Sequence, residues 1–299
     1  MFKSGFVAIV GRPNVGKSTL LNGFLKHKVA IMSNKPQTTR NKIQGIYTDE
    51  EAQVIFIDTP GIHKPKSELS TFMNKSAYSA TRDVEVVLFL TNVDEPISTG
   101  DKMIIENLKN SNSKVFMVLN KIDLISKQDL YLYIERLNEE YQEIFDEIIP
   151  ISAKTRANTD VLMNLIKDCL PEGVKYYPDD MISDHPEAFI FKEVIREKIL
   201  MLTGEEIPHS IAVVIDKVKK TKNNAIIIKA SIIVERDSQK GIIIGKQGKK
   251  LKEIGVLARE ELEAILGTKV FLETFVKVEK NWRNKQFQLN ELGYKIDDY

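Results

Sequence analysis

The chain has 299 residues and a formal net charge of +1, a length that accommodates about two domains. Its hydrophobic content of 42% and charged content of 28% are ordinary for a soluble globular protein, and nothing in this composition requires disorder. No apolar run approaches the roughly 20 residues of a transmembrane helix, and the short stretch before the first apolar run leaves no room for a secretory signal. Cys169 is the only cysteine, which excludes an intrachain disulfide and suits a reducing compartment. We therefore expect a cytoplasmic protein.

The charge is distributed unevenly along the chain. Residues 1–170 carry 21 basic and 21 acidic side chains, whereas residues 217–285 carry 17 basic and 8 acidic side chains. A basic segment beside a neutral one is what a nucleic-acid partner requires. On charge alone, a solvated charged face is the simpler interpretation.

The first part of the chain alternates strand-like and helix-like patterns. Apolar runs predict strands at 6–10, 54–57, 84–91, 115–119 and 148–151, with an edge strand at 43–48. Helical patterns lie between them at 17–27, 68–82, 100–110, 127–140 and 158–170. This order predicts an α/β fold in residues 1–171, built on a mostly parallel, doubly wound sheet. Such sheets bind ligands at the carboxyl ends of their strands. Four residues directly follow these runs: Gly11, Asp58, Asn120 and Ser152.

The pattern changes after residue 171. Residues 172–182 contain glycine, proline and aspartate without an apolar period, and we interpret them as a linker. Residues 183–299 then follow the different order helix, strand, strand, helix, helix, strand. The predicted helices include 187–202 and 249–266, and the predicted strands are 210–219, 224–236 and 269–278.

A phosphate-binding sequence follows the first predicted strand. It matches G-x-x-x-x-G-K-[ST] and consists of Gly11, Arg12, Pro13, Asn14, Val15, Gly16, Lys17 and Ser18. The preceding strand and the following helix are the context that this motif requires. Its glycines let backbone N–H groups close around phosphate oxygens, and the helix N terminus adds partial positive charge. Lys17 is suited to the β- and γ-phosphates and the Ser18 hydroxyl to Mg²⁺, so the motif predicts nucleoside triphosphate binding.

A second motif on the phosphate side follows the strand predicted at 54–57. Its residues are Asp58, Thr59, Pro60 and Gly61. An acid at this strand end holds Mg²⁺, usually through a water, and the Gly61 N–H can meet a γ-phosphate. A threonine before the edge strand completes the metal shell, and we prefer Thr39 over the alternative, Thr38. The predicted metal ligands are therefore Ser18, Thr39 and Asp58.

Two further loops predict that the base is guanine. The first consists of Asn120, Lys121, Ile122 and Asp123, and the second of Ser152, Ala153 and Lys154. The Asp123 carboxylate can accept hydrogen bonds from N1–H and N2–H₂ of guanine, which adenine does not offer. The Lys121 stem can cover the base, Asn120 can tie its loop to the phosphate loop, and the Ala153 N–H can donate to guanine O6.

Taken together, these motifs resemble those of translation-factor-related GTPases and, over the whole chain, the Era family of ribosome-assembly GTPases. The matching segments are residues 11–18, 38–40, 58–61, 120–123 and 152–154. The resemblance implies a GTPase that slowly hydrolyses GTP to GDP and phosphate, with Mg²⁺ as cofactor. The residues expected to act on the reacting phosphate are Lys17, Asn14, Thr39 and Gly61.

One residue distinguishes this chain from Ras-like enzymes, which carry a glutamine after Asp-x-x-Gly to orient the attacking water. Here Ile62 occupies that position and has no polar atom. Similar GTPases with an apolar residue there use K⁺ held partly by an asparagine of the phosphate loop, which Asn14 matches. We therefore hypothesise that K⁺ is a further cofactor. His63 is an alternative general base, although a loop histidine without a catalytic role is the simpler interpretation.

The basic part of the chain contains a glycine-rich turn flanked by lysines. Its residues are Gly241, Ile242, Ile243, Ile244, Gly245, Lys246, Gln247, Gly248, Lys249 and Lys250. In a KH domain, a G-x-x-G loop between two helices clamps the backbone of about four single-stranded nucleotides, and an apolar groove holds the bases. The element order fits the type II KH fold, so we expect RNA binding here and expect residues 242–244 to line the groove. A plain helix–helix turn is the alternative.

The segment after the last predicted strand extends this expectation. Trp282 and Arg283 can add base stacking and phosphate contacts beyond the groove. The alternative is tail packing, with Trp282 and Phe287 as core anchors. The resemblance to Era proteins extends through this segment and implies the 3′ end of 16S rRNA, in the small (30S) ribosomal subunit, as the partner.

The favoured function is a GTPase switch in small-subunit assembly, in which GTP orders residues 35–40 and 61–70 and hydrolysis releases them. One alternative is an RNA chaperone with a structural GTP site. Another is a tRNA-modification GTPase, against which the G-x-x-G domain argues. We expect a monomer with no DNA partner. The family resemblance also implies peripheral contact with the inner face of the cell membrane, for which the sequence offers only basic surface charge.

Overall fold

The computed structural model describes residues 1–33, 35, 38–204 and 207–294. Two compact units are present. The first consists of Met1–Ala30, Thr39–Lys66 and Met73–Asp184. The second consists of the described residues of 31–38, Ser67–Phe72 and the chain from His185 onward. Within these described ranges, no helix combines the length and the apolar character needed to cross a membrane.

The first unit is a six-stranded sheet with helices between its strands. Its strands are β1 (Lys3–Gly11), β2 (Ile43–Thr48), β3 (Ala52–Asp58), β4 (Val86–Asn92), β5 (Lys114–Asn120) and β6 (Glu147–Pro150). Its helices are α1 (Lys17–Leu25), α2 (Glu68–Ser79, which begins in residues grouped with the second unit), α3 (Thr99–Leu108), α4 (Lys127–Tyr141) and α5 (Thr159–Cys169). The strand order is β2-β3-β1-β4-β5-β6, and only the edge strand β2 runs antiparallel to its neighbour. The predicted doubly wound α/β fold is confirmed.

The burial of the central strands explains why this sheet could be predicted from the sequence. All seven residues of β4 are buried, as expected for a parallel strand covered on both faces, so it appears as a continuous apolar run. Helix α2 ends earlier than the pattern at 68–82 predicts. The reason is local: Thr81 and Arg82 form turn hydrogen bonds, and Asp83 adopts a left-handed φ of 56°.

The predicted linker lies against the first unit's sheet. The Gly173 N–H donates to the Phe2 carbonyl at 3.0 Å. Gln53 Oε1 accepts hydrogen bonds from the backbone N–H groups of Tyr176 and Tyr177 at 2.7 and 3.0 Å. The Ile46 N–H donates to the Ile182 carbonyl at 2.8 Å. The boundaries at 171 and 183 remain a proposal, but the segment between them is fixed by backbone hydrogen bonds.

The second unit contains a three-stranded sheet covered by helices on one face. Its strands are β7 (Ala212–Lys220), β8 (Ile226–Val234) and β9 (Val270–Val278). Its helices are α6 (Glu187–Leu202), α7 (Asp237–Ile244), α8 (Lys249–Leu266) and α9 (Gln286–Glu291). Strand β8 lies in the middle, antiparallel to β7 and parallel to β9. This is the predicted α-β-β-α-α-β order.

The core of this unit is formed by the buried residues of its helices and strands, which recur with helical and strand periodicity. Ile254, Ala258 and Leu262 recur every four residues on α8 and are fully buried. Ile228 and Ile232 alternate with outward-facing residues along β8 and are also fully buried. The core therefore lies between the helices and one face of the sheet.

Candidate nucleotide and RNA sites

The phosphate loop joins the end of β1 to the start of α1, and its two glycines are required sterically. Gly11 has φ of 152° and Gly16 has φ of 100°. A Cβ on Gly16 would lie 2.2 Å from Asn120 Nδ2, and a Cβ on Gly11 would lie 2.4 Å from the Leu90 carbonyl oxygen. Neither position tolerates a side chain, because backbone and a buried amide already occupy the space.

Asn120 connects the predicted base-binding loops to the phosphate loop. Its Nδ2 donates to the Val15 carbonyl at 2.8 Å, and its Oδ1 accepts from the Ala153 N–H at 2.9 Å. The Ser152 hydroxyl donates to Asp123 Oδ1 at 2.6 Å, which orients the exposed carboxylate. The tie that the sequence predicted for Asn120 is confirmed, and it also holds the loop of residues 152–154.

Lys121 and Ile122 form the turn that presents Asp123. Lys121 has a left-handed φ of 67°, and its Nζ lies 3.7 Å from Asp94 Oδ2. The Ile122 N–H donates to the Ile151 carbonyl at 3.2 Å. The short helical turn Ile122–Leu124 is thus anchored to the strand end beside it.

The three predicted metal ligands lie together. Ser18 Oγ donates to Asp58 Oδ2 at 2.7 Å and lies 3.0 Å from Thr39 Oγ1. Asp58 is fully buried, and none of the described residues donates a hydrogen bond to its Oδ1. The hydroxyl of the alternative ligand, Thr38, donates to the Lys35 carbonyl at 2.6 Å. Two hydroxyls and a carboxylate form a hard-oxygen donor set that fits Mg²⁺.

The electrostatics of this pocket also suit a charged ligand. Burial lowers the pKa of the Lys17 ammonium to about 8, against the favourable effect of the Asp58 carboxylate. Burial raises the pKa of Asp58 to about 6, despite Lys17 and the Ser18 hydroxyl. Lys17 Nζ donates to the carbonyls of Gly11 and Arg12 at 3.0 and 2.8 Å. An anionic phosphate beside Lys17 and a cation beside Asp58 would favour both charged forms.

The segment after Asp58 packs onto the phosphate loop. The Thr59 hydroxyl donates to the Ile9 carbonyl at 2.7 Å. Gly61 approaches Pro13 so closely that a Cβ would lie 2.6 Å from the Pro13 nitrogen. Pro60 lies between these two anchored residues and is buried.

The residues after Gly61 are fixed as well. The Ile62 N–H donates to the Gly11 carbonyl at 3.2 Å, and the Ile62 side chain is 3% exposed in the core of the first unit. The His63 N–H donates to Asn74 Oδ1 at 3.3 Å, and Asn74 Nδ2 donates to the His63 carbonyl at 2.6 Å. Asn14 is exposed with a left-handed φ of 64°. Asn34, Pro36 and Gln37 lie outside the described residues, so the predicted switch segment 35–40 is described only at residues 35 and 38–40.

The sequence did not reveal a pair of acids that holds Arg12. Arg12 Nε lies 2.8 Å from Asp101 Oδ2, and its Nη2 lies 2.9 Å from Glu95 Oε2. Asp101 is fully buried and also closes the capping box of α3 with Ser98. The Ser-x-x-Asp spacing in the sequence indicates the start of a helix. That Asp101 also pairs with Arg12 of the phosphate loop depends on the tertiary structure and could not be predicted from this spacing.

The G-x-x-G loop lies between α7 and α8. Gly245 and Gly248 have φ of 70° and 74°, and Gln247 between them has φ of 51°. A Cβ on Gly245 would lie 2.8 Å from the Lys250 Cβ. The loop exposes Lys246, with Gln247 and Lys249, to solvent. These side chains are available to phosphates.

The structure changes the predicted role of the isoleucines before this loop. Ile243 is fully buried in the core of the second unit, whereas Ile242 and Ile244 are partly exposed. Helical periodicity turns Ile243 inward and leaves its neighbours near the surface. Ile243 is therefore a core residue, and only Ile242 and Ile244 remain candidates for a groove lining.

The tail is packed more tightly than base stacking would require. Trp282 is fully buried, its Nε1 donates to the Ser210 carbonyl at 3.1 Å, and its ring stacks on Tyr294 at 6.1 Å. This burial does not agree with base stacking by Trp282 and fits the packing alternative. Arg283 pairs with Glu235 at 2.5 Å. Phe287 is 73% exposed, so its predicted role as a core anchor is wrong.

Comparison with known proteins agrees with both units. A family model described as a 50S ribosome-binding GTPase matches residues 6–121, and a KH domain model matches residues 206–283. A crystal structure of Era in complex with MgGDPNP and nucleotides 1506–1542 of 16S ribosomal RNA is 44% identical. The match covers 99% of this chain and 100% of that chain, with a TM-score of 0.96. A crystal structure of an Aquifex aeolicus Era variant bound to GDP and AlF₄⁻ is also 44% identical over the same shares, with a TM-score of 0.95. The chain belongs to the Era family of GTPases.

Proposed function

We propose that this protein is a GTP-dependent switch that binds the 3′ end of 16S rRNA during assembly of the small (30S) ribosomal subunit. The observation that carries the proposal is the full-length similarity to an Era structure that holds both MgGDPNP and nucleotides 1506–1542 of 16S rRNA. The grouping of Ser18, Thr39 and Asp58 beside Lys17 supports the nucleotide half of the proposal. The exposed lysines of the G-x-x-G loop support the RNA half.

In this proposal, residues 1–171 form the GTP-binding domain and residues 183–299 the RNA-binding domain, joined by residues 172–182. The phosphate loop and Lys17 bind the phosphates, and Ser18, Thr39 and Asp58 hold Mg²⁺. When bound, Mg²⁺ neutralises the negative charge of the phosphates. Asp123 and the loop of residues 152–154 bind guanine.

The switch itself depends on Thr39 and Gly61. The Thr39 hydroxyl lies 3.0 Å from Ser18 Oγ, and Gly61 lies directly against the phosphate loop. Loss of the γ-phosphate removes a ligand shared by both segments, so both can leave together. The state of residues 35–40 and 61–70 then reports which nucleotide is bound.

RNA footprinting in the GTP and GDP states tests this proposal. We expect the wild-type protein to protect the 3′ end of 16S rRNA more strongly with GTP than with GDP. Lys17→Ala should lose this difference, whereas Lys127→Ala, an exposed lysine on α4, should retain it. A footprint that is the same in all states and variants would instead support the RNA chaperone alternative.

We further propose that K⁺ assists hydrolysis through Asn14. The buried, apolar Ile62 offers no polar atom to orient water, and Asn14 lies on the exposed side of the phosphate loop. Single-turnover hydrolysis by the wild type should be about tenfold faster in KCl than in NaCl, which corresponds to about 1.4 kcal/mol. Asn14→Ala should show no such difference. Equal rates in both salts for the wild type would refute the role of K⁺.

Finally, we propose that the protein is a cytoplasmic monomer that contacts the inner face of the membrane peripherally and does not bind DNA. The basic composition of residues 217–285 supports electrostatic contact with anionic surfaces. Sedimentation of cell extracts at low and high salt tests it. Salt-sensitive recovery in the membrane fraction is expected, and recovery only in the supernatant at low salt would argue against membrane contact.

A further inference from the structure

The sheet of the second unit has one face in the core and an outer face that carries a distinct set of side chains. Strand register defines this face, since directly paired residues point the same way. Lys219 pairs with Ile227, which pairs with Phe271, and Lys217 pairs with Lys229, which pairs with Glu273. We call this the open sheet face. The members that reach the surface are Asp216, Lys217, Lys219, Ile227, Lys229, Phe271, Glu273, Phe275 and Lys277. Ser231 and Ile233 of β8 point the same way but are buried.

Two aromatic rings dominate one side of the open sheet face. Phe271 is 59% exposed and Phe275 is 53% exposed, both on the edge strand β9. They are four residues apart, which corresponds to about 13 Å along a strand. Ile227 lies beside Phe271 on the neighbouring strand and is partly exposed. Phe271 and Ile227 thus form an exposed apolar patch with Phe275 further along the same edge, and exposed apolar patches indicate a surface that contacts a partner.

The open sheet face is also basic, and its unpaired lysines lie on β7, the edge strand opposite the phenylalanines. Lys217 and Lys219 lie on β7 and are exposed, and neither has an ion-pair partner among the residues that the structure describes. Lys229 pairs with Glu273 at 2.8 Å, and Lys277 lies 4.0 Å from Asp216. Four lysines against two acids leave the face positive. The unpaired lysines lie about two strand spacings, or roughly 10 Å, from the aromatic rings.

This arrangement matches the chemistry of a single nucleic-acid strand. A backbone running along β7 would place its phosphates at the lysines, while its bases extend across β8 to the phenylalanines. Aromatic rings beside a basic track are the features that bind single strands without a sequence code. The G-x-x-G loop lies elsewhere, because α7 and α8 pack on the other face of the sheet through Ile243 and Ile254.

Other occupants fit this face less well. A second copy related by two-fold symmetry would bring equal lysine-rich surfaces together. An anionic membrane would have to approach the carboxylates of Asp216 and Glu273, which lie among the lysines. We propose that the open sheet face binds single-stranded RNA as a stacking platform, separate from the G-x-x-G groove.

The test compares two RNA lengths on the full-length protein. A six-nucleotide oligouridylate fills little more than the G-x-x-G groove, which holds about four nucleotides, whereas one of ~30 nucleotides can reach both surfaces. Phe271→Ala combined with Phe275→Ala should weaken binding of the longer RNA at least about fivefold, because each stacked base contributes that much or more. Binding of the shorter RNA should not change. Lys246→Ala combined with Lys249→Ala should weaken both.

Three further measurements complete the test. Tyr131→Ala, which removes an exposed aromatic ring from α4, should leave the binding of both RNAs unchanged. Lys217→Ala combined with Lys219→Ala should reduce the slope of log affinity against log salt by about 1.4, the value for two contacts to a single strand. Crosslinking with a 4-thiouridine-labelled form of the longer RNA should modify peptides of β9.

The outcomes separate this proposal from the proposed function. If the phenylalanine variant binds both RNAs as the wild type does, the open sheet face is not an RNA site, although the G-x-x-G site stands. If the same variant instead loses binding to phosphatidylserine vesicles or changes a concentration-dependent dimer mass, the face serves a membrane or a second copy and the proposal is wrong. If the loop-lysine variant retains full binding, the G-x-x-G assignment fails independently.

Discussion

The nucleotide site and the RNA surfaces of this protein are built on opposite principles. In the nucleotide site, several functional groups are buried and held by defined hydrogen bonds, as Asn120 and Asp58 illustrate, and the exposed Asp123 carboxylate is oriented by Ser152. On the RNA side, the functional groups are exposed lysines and aromatic rings whose positions follow from loop shape and strand register. Buried charges need specific partners, so single substitutions there should have large effects. Exposed groups share the binding energy, so single substitutions there should have small effects.

The largest expected effect is at Gly16. In Gly16→Ala, the new Cβ would displace the Asn120 amide, which lies 2.2 Å away, and open the connection to the phosphate loop. We expect GDP affinity to fall about 1,000-fold, or about 4 kcal/mol, measured by titration calorimetry. Gly23→Ala is the matched control, since a Cβ there meets nothing within 4 Å. It should leave GDP affinity unchanged and raise the free energy of unfolding by up to about 1 kcal/mol. Wild-type affinity in Gly16→Ala would contradict this account.

Asp123→Asn should have the next largest effect. The substitution replaces an acceptor of two guanine N–H groups with an amide that presents a donor, so GDP affinity should fall about 100-fold. Xanthosine diphosphate, which carries an acceptor at the same position, should bind the variant better than the wild type. Ser152→Ala removes the hydrogen bond that orients the carboxylate, together with the one that the Ser152 hydroxyl accepts from the Thr155 N–H, and should lower GDP affinity about fivefold. If both variants discriminate between the two bases as the wild type does, Asp123 does not read guanine.

Arg12→Ala tests the buried pair that supports the phosphate loop. The substitution leaves the fully buried Asp101 carboxylate without its cation, so the free energy of unfolding should fall by about 2 kcal/mol in urea titrations. The further change Asp101→Asn should recover part of that loss. Arg136→Ala, at an exposed position on α4, should change stability by less than about 0.5 kcal/mol. If Arg12→Ala and the wild type have the same free energy of unfolding, the Arg12–Asp101 pair does not contribute to stability.

The smallest expected effect is at Trp282, a buried residue in the unit that carries the RNA surfaces. Trp282→Phe loses the buried hydrogen bond to the Ser210 carbonyl and should lower the free energy of unfolding by about 1 kcal/mol. RNA affinity should stay within about twofold, because the ring is buried. Phe287→Ala, at a largely exposed position, should leave stability unchanged. A large loss of RNA affinity with unchanged stability in Trp282→Phe would restore the base-stacking role.

The sequence predicted most of the fold because its patterns are local. Parallel strands buried on both faces appear as apolar runs, and each guanine-nucleotide motif follows such a run directly. Thr39, which was preferred over Thr38 as a metal ligand, has its hydroxyl 3.0 Å from Ser18 Oγ, and its binding of Mg²⁺ stays a prediction. Side-chain direction was harder to predict. From residue type, Ile243 was predicted to line a groove, Trp282 to stack on bases, and Phe287, as an alternative, to anchor the core. Whether each of these side chains is exposed depends on which element packs against it.

By itself, the sequence determined the two fold classes, the phosphate loop and the guanine signature, because these depend on residue type at fixed spacing. Only the tertiary structure decided what meets across long separations in the chain. It brought Asp101 to Arg12, oriented Asp123 through Ser152, buried Trp282 and aligned Phe271 with Lys219 on one face. The physical reason is that burial and strand register arise only when helices and strands pack against one another. Neither can be deduced from the residue spacing within a single helix or strand.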